Sequence, residues 1–191
     1  MVRIRPGLVA PLCLLIAVVG IAACTSQKSE TDAKIQAVPA MTPVQRGGYI
    51  ATISGCNDCH TPGTLYGAPD FGRTLSGSEL GWQGPWGVTY ASNLTPDMET
   101  GIGNWTDAEI ERALRSGVKK DGMPIGPPMP WPDFAQLTPD DMAALIAYLR
   151  SLPAVKHQNL GPVPPGKKVS GSILTLPPPS AWDAPKAPPA K

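Results

Sequence analysis

Histidine is almost missing from this chain of 191 residues, which holds 2. Cysteine is sparse too, at 4 residues, and Cys13 and Cys24 fall in and at the end of an apolar N-terminal stretch. The pair that remains, Cys56 and Cys59, leaves nothing over for a disulfide framework. Structural zinc needs four ligands, and beyond the cluster around Cys56 the later sequence offers only His157. No βαβ pattern surrounds the Cys56–Cys59 pair, which removes the setting of a thioredoxin-like dithiol. The formal net charge is +1, so no strongly basic surface points to nucleic acid. What the chain has in quantity is proline, 24 residues, and glycine, 20. Both cluster outside the helical segments and imply long stretches of irregular loop.

The informative stretch is Cys56-Asn57-Asp58-Cys59-His60. A C-x-x-C-H run is the attachment pattern of a c-type haem. Each thiol can add to one of two vinyl groups on one side of the ring, and two intervening residues let both sulfurs reach that edge. His60 then lies under the ring, where its imidazole can ligate iron. To ligate, His60 must be neutral, with its other nitrogen donating to a carbonyl. We expect that carbonyl in the Gly67-Ala68-Pro69 region.

Residues 1–23 read as a targeting segment. Arg3 and Arg5 form the basic region and Leu8 to Ile21 the apolar one. The run Ile21-Ala22-Ala23-Cys24 resembles the bacterial lipobox, which implies a lipidated Cys24 and attachment to a membrane surface. Ordinary cleavage with Cys24 incidental, or an uncleaved anchor, are the competing readings. The apolar run is short for a spanning helix of about 20 residues. Residues 24–40 lack hydrophobic periodicity and read as a flexible tether.

The sequence predicts three main helices within a domain spanning 41–153. Thr42-Pro43-Val44-Gln45 is a capping box with Pro at the first helical position. The helix should run to about Gly55, with Tyr49, Ile50 and Ile53 on its apolar side. Gly47 and Gly48 are costly in a helix interior and imply close approach of a second helix, expected near the C-terminus. Thr106-Asp107-Ala108-Glu109 starts another helix, with Ile110, Ala113 and Leu114 on one face and Gly117 as its stop. Arg112, Arg115, Lys119 and Lys120 form a basic cluster, read first as a solvated face and second as a docking patch. Thr138-Pro139-Asp140-Asp141 opens the last helix, with Met142, Leu145, Ile146 and Leu149 as its apolar stripe and Pro153 as its stop. Tyr148 is available to pack on the Gly47-Gly48 surface. Residues 61–104 show no sustained period and read as loop packed on the cofactor, with Trp82, Trp86 and Tyr90 as packing residues. Residues 154–191 form a proline-rich tail of PPII-like chain, in which Ile173, Leu174 and Leu176 are available to dock.

A His-ligated iron in an electron carrier usually takes a second axial ligand, commonly Met. Met98, Met123, Met129 and Met142 are the candidates. Met142 falls on an apolar helix face and Met98 in a turn. Met123 and Met129 share the loop Asp121-Gly-Met-Pro-Ile-Gly-Pro-Pro-Met-Pro-Trp131, and sulfur chemistry does not choose between them.

From about Gly48 to Pro153 the chain resembles the cytochrome c subunits of bacterial membrane-bound alcohol and gluconate dehydrogenases. The matching runs are Cys56 to Thr61, Trp86-Gly-Val-Thr-Tyr-Ala-Ser-Asn-Leu-Thr-Pro-Asp-Met-Glu-Thr-Gly-Ile-Gly-Asn-Trp105, Arg112 to Val118, Asp121-Gly122, Pro128-Met129-Pro130 and Leu145 to Pro153. That family's Pro-x-Met-Pro-aromatic context selects Met129. Those subunits commonly carry three haem motifs and a C-terminal membrane segment; this sequence shows one motif and a run that resembles a lipobox. The resemblance implies an all-α cytochrome c fold, and the single motif implies one covalent haem c, held by Cys56 and Cys59 and ligated by His60 and, by the resemblance, Met129. It implies a non-enzymatic electron carrier in the bacterial cell envelope, between a dehydrogenase donor and a respiratory acceptor. The rival is a haem enzyme or gas or redox sensor with an open sixth iron site.

Overall fold

Threonine opens each of the three longer helices in the computed structural model, which describes residues 40–178. Helix α1 is Pro43–Ile53, and Thr42 and Gln45 exchange the two hydrogen bonds of a capping box, at 3.3 and 2.9 Å. Helix α2 is the short Cys56–His60. Helix α3 is Asp107–Ser116, capped the same way by Thr106 and Glu109 at 3.2 and 2.7 Å and stopped by left-handed Gly117. Helix α4 is Trp131–Phe134, and α5 is Pro139–Ser151, capped by Thr138. These ends arise from local chemistry: each cap satisfies backbone N–H groups that the first helical turn leaves without partners.

The core forms where α1 crosses α5. Ile50, Ala51, Met142, Leu145, Ile146 and Leu149 are buried there, joined by Leu75, Ile102, Ile110 and Phe134. Gly47 permits the crossing. A Cβ on it would stand 2.0 Å from the Ala144 carbonyl oxygen and 2.6 Å from Tyr148 Cβ. This contact also turns α1. Its buried face is Gly47, Ile50 and Ala51, whereas Tyr49 and Ile53, expected on the apolar side, are 46 and 64% exposed. The backbone approach at Gly47 sets the facing side, and Tyr49 and Ile53 fall outside it. Arg46 pairs with Asp141 at 2.8 Å, tying the starts of the two helices together.

Beyond α2 the chain departs from the all-α expectation and builds a small sheet. Residues 81–90, read as loop, form a hairpin of β1 (Gly81–Gly84) and β2 (Gly87–Tyr90), antiparallel, with Gly81 opposite Tyr90 and Gly84 opposite Gly87. Strand β3 (Ile173–Thr175) pairs parallel to β1, giving the order β2-β1-β3. The proline-rich segment thus docks by backbone pairing. Leu176 N–H extends it by donating to the Gln83 carbonyl at 2.8 Å, and Val88 and Val163 exchange both backbone bonds at 2.8 Å. Gly87 makes this possible: its φ is 97°, and a Cβ there would lie 2.1 Å from the Val163 oxygen. Strands of three and four residues carry no readable alternation, and β3 lies far along the chain from its partner. Two short helices, α2 and α4, also add to the three expected.

No helix among the described residues is long and apolar enough to cross a membrane. The leader 1–23, Cys24, the tether up to residue 39 and the end of the tail from residue 179 lie outside the described residues.

Candidate haem site

Gly55, left-handed with φ 67°, turns the chain from α1 directly into α2. The five residues of α2 are the whole Cys56–His60 motif. One helical turn therefore separates Cys56 from Cys59 and puts both on one side. Both thiols are free and partly buried. Burial pushes the Cys56 thiol up to about 11, with smaller contributions from Cys59 and Asp58. Cys59 is raised by burial first and by Asp58 second. A reactive dithiol needs the opposite shift. Among the described residues, no group of three or more His, Cys, Asp and Glu could hold a metal ion.

His60 is buried, 8% exposed. Its Nδ1 lies 2.7 Å from the Ser92 carbonyl oxygen, to which it can only donate. That bond fixes the tautomer with an unprotonated Nε2. Burial lowers the pKa of the ring and keeps it neutral, partly opposed by the Ser92 bond. The carbonyl expected from Gly67-Ala68-Pro69 is therefore Ser92, in the loop after β2. The earlier segment turns back on itself instead, through Ala68 N–H to the Gly63 carbonyl at 3.1 Å and Asp70 N–H to the Pro62 carbonyl at 2.9 Å.

Three residues that sequence reasoning gave no role hold this geometry. Thr61, 2% exposed, donates through Oγ1 to Asn57 Oδ1 and accepts from the Leu75 N–H, both at 2.9 Å. Gly77 N–H donates to the His60 carbonyl at 2.7 Å, closing the end of α2. Asn93, next to Ser92 and 2% exposed, uses its whole amide. Its nitrogen donates to the Val155 carbonyl at 2.7 Å and to Thr100 Oγ1 at 3.0 Å. Its oxygen accepts from Thr95 N–H and Oγ1, at 2.9 and 2.7 Å. The Thr95-to-Trp105 run is thus the buttress behind Ser92. Arg150 on α5 locks its far end, donating to the Ile102 carbonyl at 3.0 Å, to the Trp105 carbonyl, and to Asp107 at 3.0 Å. The Asn93-x-Thr95 spacing and the buried Thr after the motif were the available signals.

The four candidate methionines separate by environment. Met142 is core at 1% exposure, while Met98 and Met123 are 63 and 55% exposed. Met129 is half-buried and borders the same apolar cluster as Cys56. The basic cluster is occupied by local contacts. Arg115 pairs with Glu111 at 2.6 Å and caps the Ala135 and Leu137 carbonyls at 3.1 Å. Lys119 faces Asp121 at 3.9 Å and Lys120 faces Glu109 at 3.7 Å. Trp82 lies in an apolar groove with Leu65, Tyr66, Leu80, Ile173 and Leu174. Among the described side chains, the buried Trp86 Nε1 and Asn159 Oδ1 lack a hydrogen-bond partner.

These residues fit a haem: two thiols one turn apart, an imidazole whose Nδ1 is held by a backbone carbonyl so that Nε2 is left free, and a half-buried thioether on the same apolar cluster as Cys56. The site and helical core define a c-type haem-binding domain. The chain belongs to the cytochrome c family, whose model matches residues 44–153. It is 42% identical over 120 residues to the cytochrome c subunit of a quinone-dependent alcohol dehydrogenase from Gluconobacter oxydans, covering 62% of this chain and 23% of that protein. It is 37% identical over 105 residues to the cytochrome c subunit of gluconate 2-dehydrogenase from Pantoea cypripedii, covering 55% of this chain and 22% of that one. A diheme cytochrome c-type protein from Cereibacter sphaeroides is 34% identical over 108 residues, covering 56% and 36%. The chain thus spans less than a quarter of the length of the two dehydrogenase subunits.

Proposed function

We propose that this protein carries single electrons through one covalently bound haem c, passing them from a dehydrogenase to a respiratory acceptor. Cys56 and Cys59 would hold the porphyrin as thioethers, and His60 Nε2 and Met129 Sδ its iron. The haem supplies the one-electron iron couple. The polypeptide fixes the ligands, excludes water and sets the polarity around the iron. The observation that carries the reading is the bond from buried His60 to Ser92, which leaves Nε2 unprotonated at the end of the C-x-x-C-H helix. A thioether as the second ligand favours the reduced state and raises the potential. With His60 and Met129 both holding the iron, no position would remain for a substrate, which favours a carrier over an enzyme. The dehydrogenase donor is supported by the relatives' identities. A signal peptide over 1–23, lipidation at Cys24 and a place in the bacterial cell envelope complete the proposal and rest on the sequence pattern.

Expression with cytochrome c maturation, followed by a denaturing gel stained for haem, tests attachment. Retained stain that disappears in Cys56→Ser with Cys59→Ser is expected, and an unstained wild-type band overturns the reading. Intact mass of membrane-extracted protein tests Cys24. An acylated mature N-terminus is expected, and an unmodified Cys24 removes the anchor.

A further inference from the structure

Two prolines in succession leave the Met129 loop short of backbone donors. Pro127 and Pro128 have no N–H, so carbonyl oxygens are the polar handles there. The loop is tied at each end to the C-terminus of α3. Ile125 N–H donates to the Gly117 carbonyl at 2.7 Å, Lys119 N–H to the Met123 carbonyl at 2.9 Å, and the Trp131 ring covers Gly117. Between these ties, the Thr89 hydroxyl on β2 donates to the Pro127 carbonyl. The Thr89 methyl fills the space beside Gly126, where a Cβ would lie 2.7 Å from Thr89 Cγ2 and 3.9 Å from Thr89 Cβ.

We propose that Thr89 is a positioning residue for Met129: its hydroxyl and methyl together seat the Gly126–Pro128 segment and so aim the thioether. Pro127 is two residues from Met129, and the intervening Pro128 has a fixed φ. Pinning the Pro127 carbonyl therefore limits where Met129 can go. Three residues beyond Thr89, the Ser92 carbonyl holds His60. One strand and its extension thus carry the tie to each proposed axial ligand. Thr89 is β-branched, so its χ1 is stiff. Rotation that moved the methyl away from Gly126 would carry the hydroxyl off Pro127.

The inference rests on Met129 as a ligand, and the test separates the two. The ferric holoprotein is titrated with imidazole while the Met–iron charge-transfer band is monitored, and the unfolding midpoint of the helical core is measured alongside. Thr89→Val keeps the shape and loses the hydroxyl. Imidazole should then displace the thioether roughly three- to tenfold more readily, the scale of one hydrogen bond, with a smaller change at the core. Thr89→Ser should behave like wild type. Gly126→Ala should weaken the band, and adding Thr89→Ser, which removes the clashing methyl, should restore it. That rescue also carries the test if Thr89→Val loads no haem. Unchanged imidazole affinity in both Thr89→Val and Gly126→Ala, beside a normal wild-type band, overturns Thr89 alone. A wild-type protein without the band overturns Met129, and the inference with it.

Discussion

The Nδ1 of His60 donates to the carbonyl of Ser92 across 32 residues of chain, and Asn93, immediately after Ser92, is hydrogen-bonded at all four of its amide positions. The ligand is oriented by one residue and that residue is held by the next. Asn93→Ala would strand the Thr95 N–H and take one partner from the Val155 carbonyl and from the Thr95 and Thr100 hydroxyls, which keep others. Each buried group so stranded costs about 1–3 kcal/mol. Denaturant unfolding of the holoprotein should show a loss of about 2–4 kcal/mol, with the haem stain retained because both thiols remain. A loss below about 0.5 kcal/mol, the range of ordinary surface changes, would mean the loop is held by other contacts.

Two neighbouring glycines should respond oppositely to alanine. At Gly47 the added Cβ meets the Ala144 carbonyl at 2.0 Å, backbone that cannot step aside. Gly47→Ala should cost about 2–3 kcal/mol in unfolding free energy. At Gly48 the nearest atom is Tyr148 Cε2 at 3.2 Å, the edge of a ring that can yield. There the gain in helix propensity, about 1 kcal/mol at most, should leave Gly48→Ala neutral or slightly more stable. Equal losses at the two sites would refute the assigned helix crossing.

Acid sensitivity should be traceable to Asp97. The Thr100 hydroxyl, then the backbone N–H groups of Thr100 and Glu99, hold its carboxyl below the ordinary value of 3.8. A depressed carboxylate contributes stability that is complete above its unfolded pKa and is lost as pH falls through the folded one. Unfolding midpoints of wild type should therefore drop more steeply below about pH 4 than those of Asp97→Asn. The two should run parallel near neutrality. Superimposable acid limbs would show that the turn does not depend on charge.

Met129→Ala should abolish the ferric Met–iron band, and Met123→Ala should leave it, since Met123 is largely exposed and Met129 borders the core. The absorption spectra of the two oxidised variants decide it. A band that survives Met129→Ala and vanishes in Met123→Ala would reverse the assignment.

What could be read directly from the chain was short-range. The capping boxes at Thr42 and Thr106 close over three residues, and the Cys56–His60 motif folds as the single turn its spacing requires. The need for a helix partner at Gly47-Gly48 was legible as well, because glycine in a helix interior carries a cost that only close approach explains. The buried side of α1 was not. Ile53 looks apolar by composition, but the Ala144 contact at Gly47 rotates it into solvent.

By itself, the sequence determined the cofactor motif, the three longer helices and the local chemistry of their ends, since those depend on residues within a few positions of one another. Tertiary structure decided which carbonyl orients His60, which candidate methionine is half-buried against the core, and that a hairpin stands where loop was expected. The reason is distance along the chain. Ser92 meets His60 over 32 residues, Thr89 meets Pro127 over 38, and Asn93 meets Val155 over 62. Contacts that long leave no periodicity in the sequence, and only the folded chain brings their partners together.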